Sequence, residues 1–526
     1  MTHKLALILV LLVVSVSPVF AQDGTGPDQG ELPLPVGGMV YYSLQPEVTQ
    51  AMQTAHMTWI KHQIGLNADT DLTAISDLID QSHQAGFKVL LSVTGDVEQL
   101  AALGEAYYPI FAVSLGEIAA LGPDAIEVWQ EMNLAGNWPR GQIDPAAYVA
   151  LLGMAYDAIK AVDPQIMVIT GAVVPNMMET RLGPEEIWND DRYYQGMAAA
   201  GAADVADCVG IRYIDGGVSP FQTTGDAWGD APTLYFSSAI ERAAAPFADA
   251  NIPLCLTGIG YASADGYPDA ANYGIGRNSI TQQAKWLRDA VLVASDDGRF
   301  ELIIVYNIDS IGDAIRGSWA IIRADGTCPA CKAVGSLASL PHPESTATLA
   351  PGEELSATIS ASEPALAFTI LPGDQESISL RVIPTEGSLL DPILTVYDAK
   401  GDLVAFNDDA SATTSNARIE QLPGDQELTA VVYAFNEEST GDFILSVSGD
   451  ESLLGNTVGD SNANIRSGPS TNASIVTTAA PGTEIQIRGR NADASWLAVT
   501  VGEVDGWIAS FLVSTDGDTS SLPVLE

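Results

Sequence analysis

Between residues 38 and 340, eight short apolar runs alternate with longer amphipathic segments, and this alternation constrains the fold more than any other feature of the chain. The runs, each predicted to be a strand, span residues 39–43, 58–64, 87–93, 125–131, 166–172, 208–213, 252–257 and 301–307. The predicted helices span residues 47–55, 71–85, 97–121, 145–162, 185–200, 233–250, 279–295 and 328–340, with Asp71 and Asp144 as N-caps. Eight strands that are each followed by a helix predict a closed (β/α)₈ barrel of the TIM type over residues 38–340, and an open doubly wound sheet is the alternative.

After residue 340 the helical period disappears. Residues 345–450 are rich in Thr, Ser, Val and Ile and repeat the hexapeptide LPGDQE at 371–376 and 422–427, which predicts an all-β sandwich. Residues 456–515 contain short strands separated by Gly and Pro turns and predict a small β-barrel, and residues 516–526 form a polar tail. The chain is therefore predicted to be a multidomain protein with three folded domains.

The first 21 residues have the pattern of a secretory signal peptide. Lys4 precedes an apolar run over residues 5–14, and a small-residue site ends at Ala21. The run is shorter than the roughly 20 apolar residues that a membrane span requires. Residues 22–37 are rich in Gly, Pro and Asp and are predicted to be a linker. We therefore expect a secreted protein, extracellular or at the cell envelope, without a membrane span.

The chain is strongly acidic, with 67 Asp and Glu against 22 Lys and Arg and a formal net charge of -45. Such a balance repels phosphate backbones and anionic membrane surfaces, so nucleic-acid binding is not expected. Neutral polymers remain possible ligands.

Four cysteines are too few for a disulfide scaffold. Cys328 and Cys331 are close in sequence and predict a small local disulfide, because no second ligand pair follows that would complete a zinc site. Cys208 and Cys255 lie inside apolar strands and are expected to be buried thiols.

Polar residues gather where the fourth predicted strand ends, in the segment DAIEVWQEMNLAGNW of residues 124–138. The carboxyl ends of barrel strands meet at one mouth. Glu131 is therefore expected near Tyr213, Gly258 and Asn307. A buried strand followed by a polar turn is the alternative interpretation.

The segment IEVWQEMNLAGNW resembles the acid/base segment of clan A retaining glycoside hydrolases, in which a strand ends in Trp-Asn-Glu-Pro-Asn. The likeness extends to the barrel order and to the segments VGIRYIDGG, IPLCLTGIGYAS and IIVYN of strands six to eight. It implies that Glu131 is the general acid/base. The family places a second glutamate, the nucleophile, at the end of strand seven, where this chain has Gly258. Gln130 replaces an asparagine that binds the sugar, and Arg212 replaces a histidine.

Other side chains near predicted strand ends could complete such a site. Carboxylates that could replace the nucleophile are Asp96, Asp215, Asp265 and Asp309, although capping or solvating a loop is the alternative role for each. Predicted substrate-binding residues are Gln130, Asn133, Trp138, Tyr213, Tyr261, Asn307 and Trp319. Aromatic rings stack on apolar sugar faces, but packing in the core is the alternative for these rings.

The two β-domains also resemble known families. Residues 391–409 and 441–450 are similar to the bacterial pre-peptidase C-terminal type, which implies a binding or positioning role. There Asn407, Asp408 and Asp409 could ligate calcium, with a solvated turn as the alternative, and no other cofactor is expected. Residues 463–470 and 505–513 resemble the bacterial SH3-type fold, which implies contacts with peptidoglycan or peptides through Arg466, Trp496 and Trp507.

These observations favour an exported, carbohydrate-associated pseudo-hydrolase that binds polysaccharide or cell-wall glycan. One alternative is an active glycoside hydrolase in which another carboxylate works with Glu131. The other is an envelope adhesion protein that acts through its C-terminal β-domains.

Overall fold

The computed structural model describes residues 30–522, except residues 43, 68–69, 215, 224, 273–275, 311, 314, 374–376, 402, 409–415, 436–438, 450–452, 460, 472, 502–503, 516–518 and 520–521. The predicted signal peptide therefore lies outside the described residues, as do Asp215 and Asp409 and parts of the predicted linker and tail.

Eight parallel strands form one sheet in the order β5-β4-β3-β2-β1-β8-β7-β6. A bridge between Ile169 and Cys208 joins the two outer strands, so the sheet closes into the predicted (β/α)₈ barrel. The strands are β1 (Val36–Met39), β2 (Trp59–Gly65), β3 (Lys88–Thr94), β4 (Ala125–Val128), β5 (Met167–Thr170), β6 (Val209–Tyr213), β7 (Leu254–Ile259) and β8 (Phe300–Val305).

The first strand lies three residues earlier than predicted, partly within the predicted linker. Gly37 explains the shift, because a Cβ atom there would stand 2.5 Å from the Cβ atom of Trp59, and only glycine allows the two strands to approach this closely. The apolar residues that follow β1 form a loop instead, in which Asp309 accepts the backbone N–H of Tyr41 at 2.9 Å.

The helices surround the barrel, and they are α1 (Pro46–Thr54), α2 (Leu72–Gln84), α3 (Val97–Leu103), α4 (Tyr108–Ala119), α5 (Pro145–Val162), α6 (Glu179–Leu182), α7 (Asp190–Ala199), α8 (Phe236–Ala244), α9 (Pro268–Asn272), α10 (Ile280–Asp297) and α11 (Pro329–Gly335). The predicted caps are confirmed: Asp71 accepts the N–H of Thr73, and Asp144 that of Ala146, both at 2.9 Å. The prediction of one helix over 97–121 is wrong, because Gly104 turns with φ +56° and separates α3 from α4.

Successive strand residues point alternately into the barrel and toward the helices. The amino-terminal half of the interior is apolar, with Trp59, Ala125 and Cys255 among the residues of one buried cluster. Two residues further along the same strands the interior becomes polar, at Lys61, Glu127 and Thr257. The polar layer therefore lies at the mouth of the barrel.

Both cysteine pairs form disulfides. The predicted Cys328–Cys331 bridge is present at the start of α11. The expectation of buried thiols at Cys208 and Cys255 is wrong, because β6 and β7 are neighbours in the barrel and bring the two Cα atoms within 5.9 Å.

The second domain is a sandwich of two sheets, in the orders β10-β17-β12-β15 and β14-β13-β16-β11-β9. Phe368 and Phe443 meet between the sheets with ring centroids 6.2 Å apart. The described parts of the two LPGDQE copies meet where the N–H of Gly373 donates to the carbonyl of Gly424 at 2.8 Å. The strands are β9 (Ser345–Leu349), β10 (Glu354–Ile359), β11 (Ala365–Ile370), β12 (Ser377–Pro384), β13 (Pro392–Tyr397), β14 (Leu403–Asn407), β15 (Ala417–Pro423), β16 (Leu428–Ala434) and β17 (Gly441–Gly449).

The third domain is one seven-stranded sheet in the order β20-β19-β23-β22-β21-β18-β24. Its core includes Ile465, Val499 and Ile508, and Leu522 of the predicted polar tail is also buried there. The strands are β18 (Leu453–Thr457), β19 (Ala463–Arg466), β20 (Ile475–Ala479), β21 (Glu484–Arg490), β22 (Trp496–Val501), β23 (Val504–Ala509) and β24 (Val513–Ser514).

The sandwich packs directly on the barrel. Ile393 of β13 and Phe406 of β14 belong to the same buried apolar cluster as the barrel helices. Beside them, Arg288 of α10 forms an ion pair with Asp408, next to the end of β14. Across the described part of the chain, no helix combines the length and the apolar character needed to cross a bilayer.

Candidate functional site

The backbone at the end of β4 turns sharply and presents Glu131 to the barrel mouth. Trp129 and Glu131 adopt φ values of +70° and +57°, which residues other than glycine rarely adopt. The N–H of Glu131 donates to the carbonyl of Ala172 at 2.7 Å, and the indole N–H of Trp129 donates to the carbonyl of Asn137 at 2.7 Å. Strained backbone of this kind is concentrated at functional sites.

A cavity of about 320 Å³ opens at this mouth. Its charged lining residues are Lys61, Glu127, Glu131, Arg212 and Arg316. Neutral lining side chains that can donate or accept hydrogen bonds are Tyr41, Gln63, Gln130, Thr257 and Tyr306. The cavity is therefore polar, and it is large enough for one or two sugar rings by the ordinary scale of ligand pockets.

Both carboxylate oxygens of Glu131 have a side-chain partner. Arg212 of β6 forms an ion pair with Oε1, and the side-chain amide of Asn137 donates to Oε2. A guanidinium partner stabilises the charged carboxylate. A general acid must instead carry a proton to the leaving oxygen, so this arrangement opposes the role that the family likeness implies for Glu131.

Gly258 lies on β7 directly beside Arg212 on β6, and it lines the same cavity. A Cβ atom at Gly258 would find its nearest neighbours, side-chain carbons of Arg212 and Ile214, at 3.9 Å. This is ordinary van der Waals contact, so the backbone leaves room for a side chain. Glycine here is not required by close packing.

The polar layer below Glu131 contains a buried ion pair that sequence reasoning missed. Lys61 Nζ stands 2.7 Å from Glu127 Oε2 and donates to the carbonyl of Thr257 at 2.8 Å. The hydroxyl of Thr257 donates to Glu127 Oε1 at 2.7 Å. Burial lowers the pKa of Lys61, and the neighbouring Glu127 opposes that shift. The sequence did carry a signal for this pair, because Lys61 and Glu127 are charged residues within predicted strands that are otherwise largely apolar.

Two tyrosines supply the aromatic part of the cavity wall. The hydroxyls of Tyr41 and Tyr306 lie 3.0 Å apart, and their rings meet edge to face at 6.2 Å. Burial raises the pKa of Tyr41, and so does Tyr306, while Arg316 and Arg212 act in the opposite direction. The guanidinium of Arg316 stands 5.4 Å from the centroid of the Tyr41 ring.

The structure brings together Gln130, Glu131 and Gly258 among the predicted site residues. It places the remaining six in packing around the mouth, where they do not line the cavity. The aromatic ones, all buried, are Trp138, Tyr213, Tyr261 and Trp319. Tyr213 packs on Tyr261 with centroids 5.9 Å apart, and the indole N–H of Trp319 donates to the carbonyl of Ile214. These rings therefore pack in the interior around the mouth.

The two asparagines among these six hold loops together. The amide of Asn133 donates to the carbonyls of Val174 and Trp188, and its oxygen accepts the N–H of Val174. Asn307 donates to the carbonyl of Arg316 and accepts the N–H of Ser310. Both side chains are fully buried.

Three of the four aspartates considered as replacement nucleophiles accept backbone N–H groups and do not line the cavity, and Asp215 lies outside the described residues. Asp96 accepts the N–H groups of Glu98 and Gln99 as the cap of α3. Asp265 accepts the N–H of Ile280, and Asp309 accepts two loop amides. Each therefore acts in the capping or loop role that was its alternative.

The predicted calcium ligands have other partners in the part of the chain that is described. Asp408 is buried against Arg288, and Asn407 accepts the N–H of Arg418 at 2.8 Å. The solvated-turn alternative is wrong for Asp408, because the barrel covers it. Among the described residues, no group of three or more His, Cys, Asp or Glu side chains could hold a metal ion.

In the third domain, Arg466 donates to the carbonyl of Ala473 at 2.8 Å and so closes its own loop. Trp496 and Trp507 are half-buried on adjacent strands and leave part of each ring accessible.

Comparison with known proteins identifies one module directly. The family model of the bacterial SH3 domain matches residues 461–514. No curated protein matches the chain.

Solved structures are similar to parts of the chain at low identity. A GH53 catalytic domain from Ignisphaera aggregans is 16% identical, with 57% of this chain and 91% of that chain covered at a TM-score of 0.41. An endo-1,4-β-mannanase from Rhizomucor miehei is 14% identical, with 59% and 95% covered at 0.39. The pre-peptidase C-terminal domain of a collagenase from Bacillus anthracis is 12% identical, with 20% and 100% covered at 0.18. The strand topology together with the SH3 match confirms the predicted (β/α)₈ barrel, β-sandwich and bacterial SH3-type domain.

Proposed function

We propose that this protein is an exported, carbohydrate- or cell-wall-associated protein whose barrel cavity binds glycan without cleaving it. The observation that carries the proposal is the pairing across the cavity: Gly258 stands where a nucleophile would be, and Arg212 beside it holds Glu131 in an ion pair. A bacterial SH3 domain on the same chain supports a location at the cell wall.

The chemistry explains why this arrangement opposes turnover. A retaining glycosidase needs two carboxyl groups about 5 to 5.5 Å apart, one protonated and one ionised. Glycine offers no nucleophile, and an ion-paired Glu131 is a poor proton donor. The remaining wall still offers amides, hydroxyls and tyrosine rings, which are the groups that bind sugar hydroxyls and ring faces.

The alternative of an active hydrolase has one new candidate, Glu127, which lines the cavity below Glu131. Its carboxylate is already bound by Lys61 and by the hydroxyl of Thr257. Attack on a sugar carbon would require breaking both interactions inside a buried layer. This favours a structural role for Glu127.

The first test is turnover on a panel of aryl glycosides. We expect purified protein to release no more aryl alcohol than its Glu131→Gln variant. Release that continues in proportion to enzyme and disappears in Glu131→Gln would establish an active hydrolase and overturn the proposal.

The second test is retention on polysaccharides and cell-wall sacculi. A Gly258→Phe variant fills the barrel cavity, and a Trp496→Ala variant removes a half-buried ring of the SH3 domain. We expect the cavity-filled variant to lose soluble oligosaccharide binding while sacculus retention persists. If only Trp496→Ala reduces binding to every glycan, the adhesive alternative is correct and the barrel is a spacer.

A further inference from the structure

The charge on the cavity wall differs in sign from that of the whole protein. Three cationic side chains, Lys61, Arg212 and Arg316, line it against two carboxylates, Glu127 and Glu131, a formal excess of one positive charge. The chain as a whole carries a net charge of -45 with 22 basic residues. Three of the few cations of an acidic protein are therefore concentrated at one mouth of the barrel.

The three cations differ in how fully they are paired. Lys61 is enclosed by Glu127 and the Thr257 carbonyl. Arg212 is paired with Glu131. Arg316 has the weakest pairing, because its Nη1 atom lies 3.7 Å from Asp313 and its side chain is 56% exposed. Its guanidinium stands 5.4 Å from the centroid of the Tyr41 ring, toward the cavity.

The cavity also has free space beside Gly258, next to Arg212. Gly258 and Arg212 are paired residues of neighbouring strands, and nothing lies within 3.9 Å of a Cβ atom built on the glycine. A carboxylate supplied by a ligand could occupy the volume that a protein carboxylate would fill in a hydrolase. It would meet the guanidinium of Arg212 there.

We propose that the barrel cavity selects an acidic sugar, a hexuronate whose carboxylate lies beside Gly258 and pairs with Arg212 and Arg316. This inference rests on the proposed glycan-binding function and names the class of glycan. Charge-assisted hydrogen bonds from arginine are stronger than neutral ones, and the planar guanidinium matches a carboxylate. A neutral sugar would offer these guanidinium groups no charged partner beyond Glu131 and Asp313.

The test is isothermal titration calorimetry on the full-length chain with oligomers of galacturonate, glucuronate and mannuronate, each compared with its methyl ester. Esterification removes the charge and leaves the sugar otherwise intact. We expect at least one acid to bind about tenfold more tightly than its ester at low ionic strength, and Arg316→Gln to remove that preference. The matched control is Arg299→Gln, which removes the same charge at the opposite end of β8, where Arg299 pairs with Asp297 and Glu241.

The outcomes distinguish the inference from the function on which it rests. If the esters and neutral oligosaccharides bind as tightly as the acids, the acidic preference is wrong and glycan binding stands. If no oligosaccharide binds to protein with a native circular dichroism spectrum, binding in the barrel itself is wrong. A preference that survives Arg316→Gln and is lost in Arg299→Gln would place the acid outside the cavity and overturn the inference.

Discussion

At the scale of single residues, the ion pair between Glu131 and Arg212 decides what the site can do. Glu131 lies just after β4 and Arg212 lies in β6, and the two meet across the mouth, with Gly258 of β7 next to the arginine. A carboxylate introduced at Gly258 would therefore face Arg212 before it faced a sugar. Introduction of a nucleophile at Gly258 is thus coupled to removal of the arginine.

We expect Gly258→Glu alone to leave the protein inactive, and Gly258→Glu combined with Arg212→His to release aryl alcohol about a hundredfold faster than background, because a lost nucleophile costs several orders of magnitude in rate. The measurement is single-turnover release from an activated aryl glycoside. The matched control is Gly258→Gln with Arg212→His, which has the same size without the carboxylate. Equal rates for the two double variants would show that further parts of the machinery are missing.

The buried pair below the site leads to a prediction on stability. Lys61→Met leaves Glu127 buried without its counter-ion, and we expect the free energy of unfolding to fall by about 3 to 5 kcal/mol. The double variant Lys61→Met with Glu127→Leu should lose less, because no uncompensated charge remains. Urea unfolding of both variants measures the difference. A double variant less stable than the single one would contradict this account.

At the scale of secondary-structure elements, local sequence signals placed most of the barrel. Strand and helix order follow from apolar periodicity, and the caps Asp71 and Asp144 follow from side chains that bind the first free N–H groups of a helix. The two errors have different causes, a tertiary contact in the first case and a local glycine turn in the second. The first strand moved because Gly37 lets the backbone approach Trp59, and the long helix after β3 broke at Gly104.

The cap of α5 provides an element-scale prediction. Asp144→Ala removes the acceptor for the N–H of Ala146, and we expect the free energy of unfolding to fall by about 1 kcal/mol. Asp157→Ala, on the exposed face of the same helix, is the control and should change stability by less than about 0.5 kcal/mol. Chemical denaturation followed by circular dichroism compares the two. Equal losses would mean that net charge, and not capping, is responsible.

At the scale of the whole molecule, a buried charge cluster joins the barrel to the sandwich. Arg288 of α10 pairs with Asp289 and with Asp408, and Lys285 reaches Asp391 at 2.9 Å. Burial alone would raise the pKa of Asp408, but Arg288 and Lys285 outweigh it and hold that pKa below its usual range. The two domains therefore form one packed unit.

We expect Arg288→Met to destabilise this interface by about 3 to 5 kcal/mol, because it leaves two buried aspartates short of a counter-ion. Separation of the domains would increase the radius of gyration in small-angle X-ray scattering and expose residues 341–344 to proteases. Arg299→Met removes a partly exposed pair and should cost less than about 1 kcal/mol. Unchanged scattering and protease resistance in Arg288→Met would show that apolar packing alone holds the domains together.

The sequence by itself determined the three modules, the position of Glu131 after a strand and the presence of glycine at position 258, since these depend on periodicity and on residue identity. Only the tertiary structure decided what each charged group faces. The pairs that it revealed are Glu131 with Arg212, Lys61 with Glu127, Arg288 with Asp408 and the disulfide of Cys208 with Cys255. Their members are distant in sequence, and the strength of each contact depends on burial and distance, which no local pattern encodes.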